Sequence, residues 1–308
     1  MENYKILITD KIHEEGKNYL ISKGFEVKEI LNLSEEELVK LIKDFHVLIV
    51  RSATKVTKKI IENASNLKII GRAGVGLDNI DVKAAEERGI KVINSPEASS
   101  VAVAELTILF ILSALRSFPH AHISMKEGKW EKSKFMGLEL KGKKVGIIGY
   151  GRIGKEVAKR LKCFETEILV YDPFINGNKN ENFVQTLEEI FSNCDIITIH
   201  TPLTEETKYM INKKILEKAK RGIIIVNCAR GGIINEKDLL WALNEGIVSY
   251  ACLDVYENEP PKNFELLNHP NVILTPHIGA QTSEAQSKAS LILAEKIYKE
   301  LIEFSSKV

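Results

Sequence analysis

Short apolar runs alternate with amphipathic segments over the first hundred residues. Tyr4–Asp10 (YKILITD) is a strand-like run with an acid at its end, and His13–Gly24 (HEEGKNYLISKG) spaces its apolar residues for a helix closed by glycine. Phe25–Ile30 (FEVKEI) reads as a strand and Ser34–Phe45 (SEEELVKLIKDF) as a helix, opened by a Ser34 cap with Glu37 three positions on; His46–Ser52 (HVLIVRS) is again a strand. Thr57–Ser65, Leu67–Gly74, Asp81–Gly89 and Lys91–Pro96 continue as helix, strand, helix, strand. Strands separated by single helices join most simply as parallel neighbours, so residues 1–97 predict one βα unit.

A second series begins at Lys144. Six apolar, β-branched-rich runs end at Gly149, Asp172, His200, Asn227, Asp254 and Thr275, as strands buried on both faces should. One helix follows, from about Ser283 to Phe304. Between the two series lies Val101–Leu115 (VAVAELTILFILSAL), 15 residues with Glu105 inside. A membrane span needs roughly 20 apolar residues, so this segment predicts a helix buried between layers or domains. The pattern as a whole predicts an α/β protein of two Rossmann-like, doubly wound parallel-sheet domains. No linker, low-complexity tract or repeat interrupts it.

Charge and cysteine content narrow the partners. Lys and Arg number 43 against 42 Asp and Glu, a net charge of +1 that argues for neither a nucleic-acid nor a membrane partner. Cys163, Cys194, Cys228 and Cys252 show no CxxC spacing, which predicts reduced thiols in a cytoplasmic protein rather than a disulfide or zinc framework. The seven histidines form no metal-like cluster, and no metal is expected. The opening MENYKILITD lacks the apolar stretch of a signal peptide.

Two glycine loops hold the candidate chemistry. Gly149-x-Gly151-x-x-Gly154 follows the strand KVGII and opens the helix Arg152–Phe164. There glycines permit a tight turn, close approach to a pyrophosphate and close helix–strand packing, while the helix N-terminus offers N–H groups to phosphate. The next strand ends at Asp172, 23 positions after Gly149. A carboxylate there accepts from an adenosine ribose and repels a 2′-phosphate, which favours NAD over NADP. The earlier loop, Gly71–Ile80 (GRAGVGLDNI), has Gly74-x-Gly76 but Asn79 where a third glycine is expected, and its following strand ends without an acid. Pattern alone leaves it either a tight turn without a ligand or a set of backbone N–H groups able to bind a small anion such as a carboxylate. Arg72 and the pair Arg51-Ser52 would suit an anionic substrate.

Open α/β sheets bind ligands outside the carboxyl ends of their strands, and three such ends are polar: VNCARGG, LDVYENEP and TPHIGA. Hydride transfer to a 2-keto acid needs a carboxylate anchor, stabilisation of charge on the carbonyl oxygen, and a proton donor. Arg230 suits the first two, His277 the third, and Glu259 suits a partner that raises the imidazole pKa. Taken singly, each also fits a bland role: a surface salt bridge, a loop histidine, an acidic turn before proline. His200, at a strand end, is expected to shape the cofactor edge. His13, His120, His122 and His269 show no partner by spacing.

In order and spacing, GIIGYGRIG, YDP, HTPLTEET, NCARGGIINEKDL, LDVYENEP and TPHIGA resemble the D-2-hydroxyacid dehydrogenase family. VRSATKVT, GRAGVGLDNID and NSPEASSVAVAELT look like the branch that oxidises D-3-phosphoglycerate with NAD, in its short form without a C-terminal regulatory domain. The resemblance implies Arg230 and Glu259 as catalytic residues and His277 as proton donor and acceptor. It places Gly149, Gly151, Arg152, Ile153 and Gly154 at the pyrophosphate and Asp172 at the ribose. Thr201, Pro202, Cys228, Ala229, Arg230, Asp254, His277, Gly279 and Ala280 fall on the nicotinamide side. Arg51, Ser52, Val75 and Gly76, with Arg230 and His277, are implied to face a phosphorylated hydroxy acid. Where relatives often carry asparagine, this chain has Ser99. The resemblance further implies that the first domain is discontinuous. A substrate domain of residues 1–97 and 283–308 would flank an NAD domain of 98–282, with the helix near Val101 in a homodimer contact. A glyoxylate or hydroxypyruvate reductase, or an NAD-sensing binding protein, could use the same scaffold.

Overall fold

In the computed structural model, which describes residues 4–175 and 182–305, every apolar run of the first hundred residues forms a strand. The order is β1 (Lys5–Ile8), α1 (Glu14–Ser22), β2 (Glu26–Glu29), α2 (Glu35–Leu41), β3 (Val47–Val50), α3 (Lys58–Asn63), β4 (Ile69–Arg72), α4 (Val82–Glu87) and β5 (Lys91–Asn94). Ser34 caps α2 in a full capping box with Glu37. The five strands are all parallel, in the order β2-β1-β3-β4-β5. Successive strand residues point to opposite faces. Leu7, Leu48, Val50 and Ile70 pack towards α2, α3 and α4, while Ile6, Ile8, Val47, Ile49 and Ile69 pack with Leu20 of α1.

The chain continues through α5 (Ser100–Leu115) and α6 (Phe118–Lys126). It then forms β6 (Lys144–Ile148), α7 (Arg152–Lys162), β7 (Glu167–Tyr171), β8 (Asn182–Phe183), α8 (Leu187–Asn193) and β9 (Ile196–Ile199). After these come α9 (Lys213–Leu216), β10 (Ile223–Asn227), α10 (Glu236–Asn244), β11 (Val248–Leu253), α11 (Phe264–Leu267), β12 (Val272–Leu274) and α12 (Ser283–Ser305). Seven parallel strands make the second sheet, ordered β12-β11-β10-β9-β6-β7-β8. One more strand is present than the apolar runs predict, because β8 is only the pair Asn182-Phe183 beside β7. Helix α5 is buried through Ala104, Phe110 and Ile111 in the layer that includes Ile147, Val226 and Cys252. Among the described residues no single helix is long and apolar enough to cross a membrane.

Two compact units result: Met1–Ser100 with Ala280–Val308, and Val101–Gly279. The first is discontinuous because α12 returns to it, burying Leu293, Ala294, Ile297 and Leu301 against the sheet face shared with α1. A methyl at Gly16 would lie 2.2 Å from Ser290 Oγ, so glycine is what lets α1 and α12 close. In both sheets the strand order reverses, between β1 and β3 in the first and between β6 and β9 in the second. Such reversals open a crevice at the carboxyl ends of the two strands, where ligands of open α/β sheets bind.

Candidate active site

At the reversal of the second sheet stands the Gly149 loop. Gly149 has φ +89°, and a methyl there would lie 2.7 Å from His200 O. A methyl at Gly154 would lie 2.2 Å from Gly149 O, whereas Gly151 faces open space. Two of the glycines therefore serve close packing, and the third leaves room at the N-terminus of α7 beside Arg152 and Ile153. Two buried polar atoms in the same crevice, His200 Nδ1 and Thr201 Oγ1, have no hydrogen-bond partner among the described residues. These features fit a dinucleotide: a narrow backbone turn, free helix N–H groups, and polar atoms left for a ligand. Asp172 accepts from Tyr150 N–H at 2.8 Å and Phe174 N–H at 3.0 Å, so it braces the glycine loop. A carboxylate has about four lone-pair sites, which leaves capacity for ribose hydroxyls.

Burial holds His200 neutral, pushing its pKa down to about 3. Its Nε2 pairs with Thr198 Oγ1 at 2.9 Å. Pro202 O accepts from Thr207 Oγ1 at 2.7 Å, which folds the HTPLTEET loop on itself. Cys228 and Ala229 are buried at the end of β10, and burial pushes the Cys228 thiol up to about 12. It is a small apolar wall rather than a nucleophile.

The carboxyl ends of β10, β11 and β12 bring Arg230, Glu259 and His277 together. His277 Nδ1 lies 2.7 Å from Glu259 Oε2, and Glu259 Oε1 accepts from Tyr256 N–H at 3.3 Å. Both side chains remain about half exposed, and His277 Nε2 has no hydrogen-bond partner among the described residues. The hydrogen bond to Glu259 raises the His277 pKa against the opposing effect of burial; the charges of Glu259 and Asp254 help, and that of Arg230 opposes. Burial pushes Glu259 up, but His277, Tyr256 N–H and Arg230 together bring it below its ordinary value. The Arg230 guanidinium donates from Nη1 to Ala229 O at 2.7 Å.

Asp254, 1% exposed, builds the histidine loop. Its Oδ1 accepts from Thr275 Oγ1 at 2.6 Å and Ile278 N–H at 2.7 Å, and its Oδ2 from Gly279 N–H at 2.8 Å. Those bonds hold His277 at φ +54°, a conformation an isolated histidine rarely adopts. Tyr256 completes the frame by donating its hydroxyl to Thr275 O at 2.8 Å. Three of the histidines that spacing leaves without partners have backbone ones. His13 Nδ1 accepts from Glu15 N–H, His120 Nε2 meets Pro270 O, and His269 Nδ1 accepts from Asn271 N–H, while His122 stacks on Phe118. These histidines satisfy main chain, beside them for His13 and His269 and distant in sequence for His120, which spacing between side chains does not report.

The first unit has its own polar centre, at the β1/β3 reversal. Asp10, at the end of β1, accepts from the N–H groups of Arg51, Ala53 and Thr54 at 2.7–3.2 Å, and from Thr54 Oγ1. Asn79 donates to Arg51 O at 2.8 Å and Thr54 O at 2.7 Å, which ties the 51–54 loop to the loop after β4. Arg51 reaches Lys11 O at 3.3 Å and Gln281 Oε1 at 3.4 Å, and Ser52 is exposed. Gly74 has φ +145°, and its N–H donates to Ser95 Oγ at 3.0 Å. Val75 O accepts from Asn94 Nδ2 at 2.6 Å, with Gly76 partly exposed beside it. Ser99 Oγ is buried without a hydrogen-bond partner among the described residues. Ala280 O accepts from Gln286 Nε2 at 2.7 Å. Asp10 and Asn79 are thus residues that sequence reasoning missed; the only hints were an acid at a strand end and an asparagine breaking a glycine pattern.

The chain belongs to the D-isomer specific 2-hydroxyacid dehydrogenase family: residues 108–279 match that family's NAD-binding domain. It is 50% identical over 301 residues to a D-3-phosphoglycerate dehydrogenase of Methanocaldococcus jannaschii, covering 96% of this chain and 57% of that protein. The chain therefore spans little more than half the length of that relative. To the hydroxypyruvate reductase of Thermotoga maritima it is 47% identical over 304 residues, covering 98% of this chain and 99% of that one. The crystal structure of a cofactor (NAD+)-bound 3-phosphoglycerate dehydrogenase from Entamoeba histolytica matches with a TM-score of 0.81 at 34% identity, covering 96% of this chain and 94% of that one.

Proposed function

We propose that the protein oxidises D-3-phosphoglycerate to 3-phosphohydroxypyruvate with NAD, the first step of the phosphorylated route to L-serine. The observation that carries this reading is the 2.7 Å His277–Glu259 pair beside Arg230, at the strand ends of a dinucleotide-binding unit. When bound, NAD supplies the acceptor for the hydride. His277 Nε2 takes the hydroxyl proton, while Glu259 fixes the ring through Nδ1 and stabilises the imidazolium that forms. Arg230 holds the substrate carboxylate and the polarised oxygen.

Gly149, Gly151, Arg152, Ile153 and Gly154 would cradle the pyrophosphate and Asp172 the ribose. Thr201, Pro202, Cys228, Ala229, Asp254, Gly279 and Ala280 would line the nicotinamide. Arg51, Ser52, Val75 and Gly76 are assigned to the substrate's anionic groups, which the Asp10-organised loop and the Gly74 turn support. A homodimer contact is assigned to the region from α5 onward, where Leu109, Phe118, Ile123, Trp130 and Met136 expose large apolar side chains. Sedimentation as a monomer at micromolar concentration would contradict it. The buried free thiols Cys194, Cys228 and Cys252 suit a reducing compartment such as the cytoplasm.

A second reading, reduction of hydroxypyruvate or glyoxylate, is favoured by the Thermotoga relative, which this chain matches over 99% of its length. Oxidation of NADH with 3-phosphohydroxypyruvate, hydroxypyruvate and glyoxylate at equal concentration separates the two. A kcat/KM about 100-fold higher for the phosphorylated substrate corresponds to roughly 2.7 kcal/mol of discrimination and supports the first reading. Equal rates support the second. No rate above a His277→Ala control refutes both and leaves an NAD-binding protein.

A further inference from the structure

The loops that hold Arg230 and Glu259 come from different strands, yet they meet at two places away from the reacting groups. At the first, Gly231 lies so close to the main chain of Tyr256 that a methyl would sit 1.7 Å from Tyr256 O. At the second, two glutamates exchange main-chain hydrogen bonds. Glu257 Oε1 accepts from Glu236 N–H at 2.8 Å, and Glu236 Oε1 accepts from Glu257 N–H at 2.8 Å. Glu236 is the first residue of α10, six positions after Arg230, and Glu257 stands two positions before Glu259.

This arrangement has a physical cost, which makes its presence informative. The two carboxylates face each other, and both are partly buried. Burial raises the Glu236 pKa; the bond from Glu257 N–H opposes that, and the charge of Glu257 adds to it. Asn263 hydrogen-bonds Glu236, and the Tyr209 hydroxyl meets Glu257. The positive end of α10, whose first N–H group Glu257 holds, offsets part of the repulsion. Among the described residues neither carboxylate forms an ion pair with a basic side chain; each holds the other's main chain.

We propose that Glu236 and Glu257 are positioning residues, whose reciprocal bonds lock the Arg230 loop to the Glu259 loop and so set Arg230 against the Glu259–His277 pair. In its kinetic consequence this rests on the dehydrogenase reading above, because it assigns the pair a part in aligning that machinery. Bonding of this kind needs an acceptor oxygen, not a charge. A glutamine can therefore replace either glutamate, and an alanine cannot.

The test compares E236A, E257A, E236Q, E257Q and the double E236A/E257A variant in two measurements. One is kcat and KM for 3-phosphohydroxypyruvate with NADH. The other is the titration midpoint of His277 by NMR, its resonance identified by its loss in His277→Gln; that readout needs no turnover. Glu259, Asp254 and Arg230 are the charged groups facing His277, so its midpoint reports the placement of Glu259. Each alanine variant is expected to lower kcat about 10-fold with KM within about 2-fold, since a displacement near 1 Å is enough for losses of this order. The double variant falls no more than about 2-fold further, because either loss opens the same lock. The His277 midpoint drops in the alanine variants, and the glutamine variants restore both rate and midpoint.

Alanine variants that lose only thermal stability, with kcat and midpoint intact, would overturn the proposal; so would glutamine variants as impaired as alanine ones. If wild-type protein turns over none of the keto acids while the midpoint still moves as described, the dehydrogenase reading fails and the lock stands. A midpoint that does not move sinks the lock whatever the turnover.

Discussion

Gly231→Ala should separate close approach from flexibility at the site. The added methyl would stand 1.7 Å from Tyr256 O, 2.1 Å from Tyr256 C and 2.8 Å from Glu257 N, all main-chain atoms. No rotamer change can relieve that. Opening the contact to a carbon–oxygen distance of about 3.3 Å parts the two loops by about 1.6 Å. Arg230 is adjacent in sequence and Glu259 lies on the other loop, so the separation falls on the catalytic pair. Misplacement of about 1 Å can cost on the order of 100-fold in rate, and overpacking costs about 1–3 kcal/mol in stability. The neighbouring Gly232→Ala is the control. Gly232 has φ +78°, but a methyl there meets only the Leu203 side chain, at 3.7 Å. It should cost about 1–2 kcal/mol of backbone strain while leaving kcat within about 3-fold. Steady-state NADH oxidation and urea unfolding of both variants provide the two readouts. A Gly231→Ala enzyme with kcat within about 3-fold of wild type would refute the reasoning, whatever its stability.

Glu259→Gln should move a pH limb. Reduction needs protonated His277, so kcat/KM is full at low pH and falls as pH rises through a pKa that Glu259 holds above the ordinary imidazole value; oxidation, which needs the neutral ring, shows the reverse limb. The variant should shift that midpoint downward in both directions, and an unmoved midpoint would contradict the pairing. Asp254→Asn keeps one acceptor oxygen where three donors converge, setting an amide N–H against Gly279 N–H or against Ile278 N–H and the Thr275 hydroxyl. A loss of about 2–4 kcal/mol is expected by urea unfolding, and a loss below about 0.5 kcal/mol would show that the loop holds itself. Arg51→Ala should lower kcat/KM more for 3-phosphohydroxypyruvate than for hydroxypyruvate; an equal loss would remove Arg51 as a phosphate anchor.

The strands legible in the sequence are those whose position leaves no choice of residue. Val47–Val50, Ile196–Ile199 and Ile223–Asn227 are buried at every position, so they read as VLIV, IITI and IIIVN with no polar face to confuse the period. The pair Asn182-Phe183 has no such run, and only its neighbour β7 makes it a strand. The Gly149 loop is legible for a similar reason: the contact of Gly154 with Gly149 O joins residues of one turn, so local spacing records it, whereas the contact of Gly149 with His200 O leaves no such trace.

Contacts between distant loops leave no such record. Asp10 reaches across 41–44 positions to the 51–54 loop, and Asn79 reaches back 25 and 28 positions to Thr54 and Arg51. Asn79 therefore reads as a failed third glycine when it is a cross-brace. Glu259 and His277 stand out because both follow strand ends, but position alone cannot say which acid at a strand end does chemistry. Asp10, Asp254, Glu257 and Glu259 are the same kind of residue in the same kind of place. They differ in where their oxygens are committed. Asp10 and Asp254 accept chiefly from main-chain N–H groups and build loops, and Glu257 accepts from Glu236 N–H and joins two of them. Glu259 alone of the four directs an oxygen at an imidazole, which makes it the one whose charge a proton on His277 can feel directly.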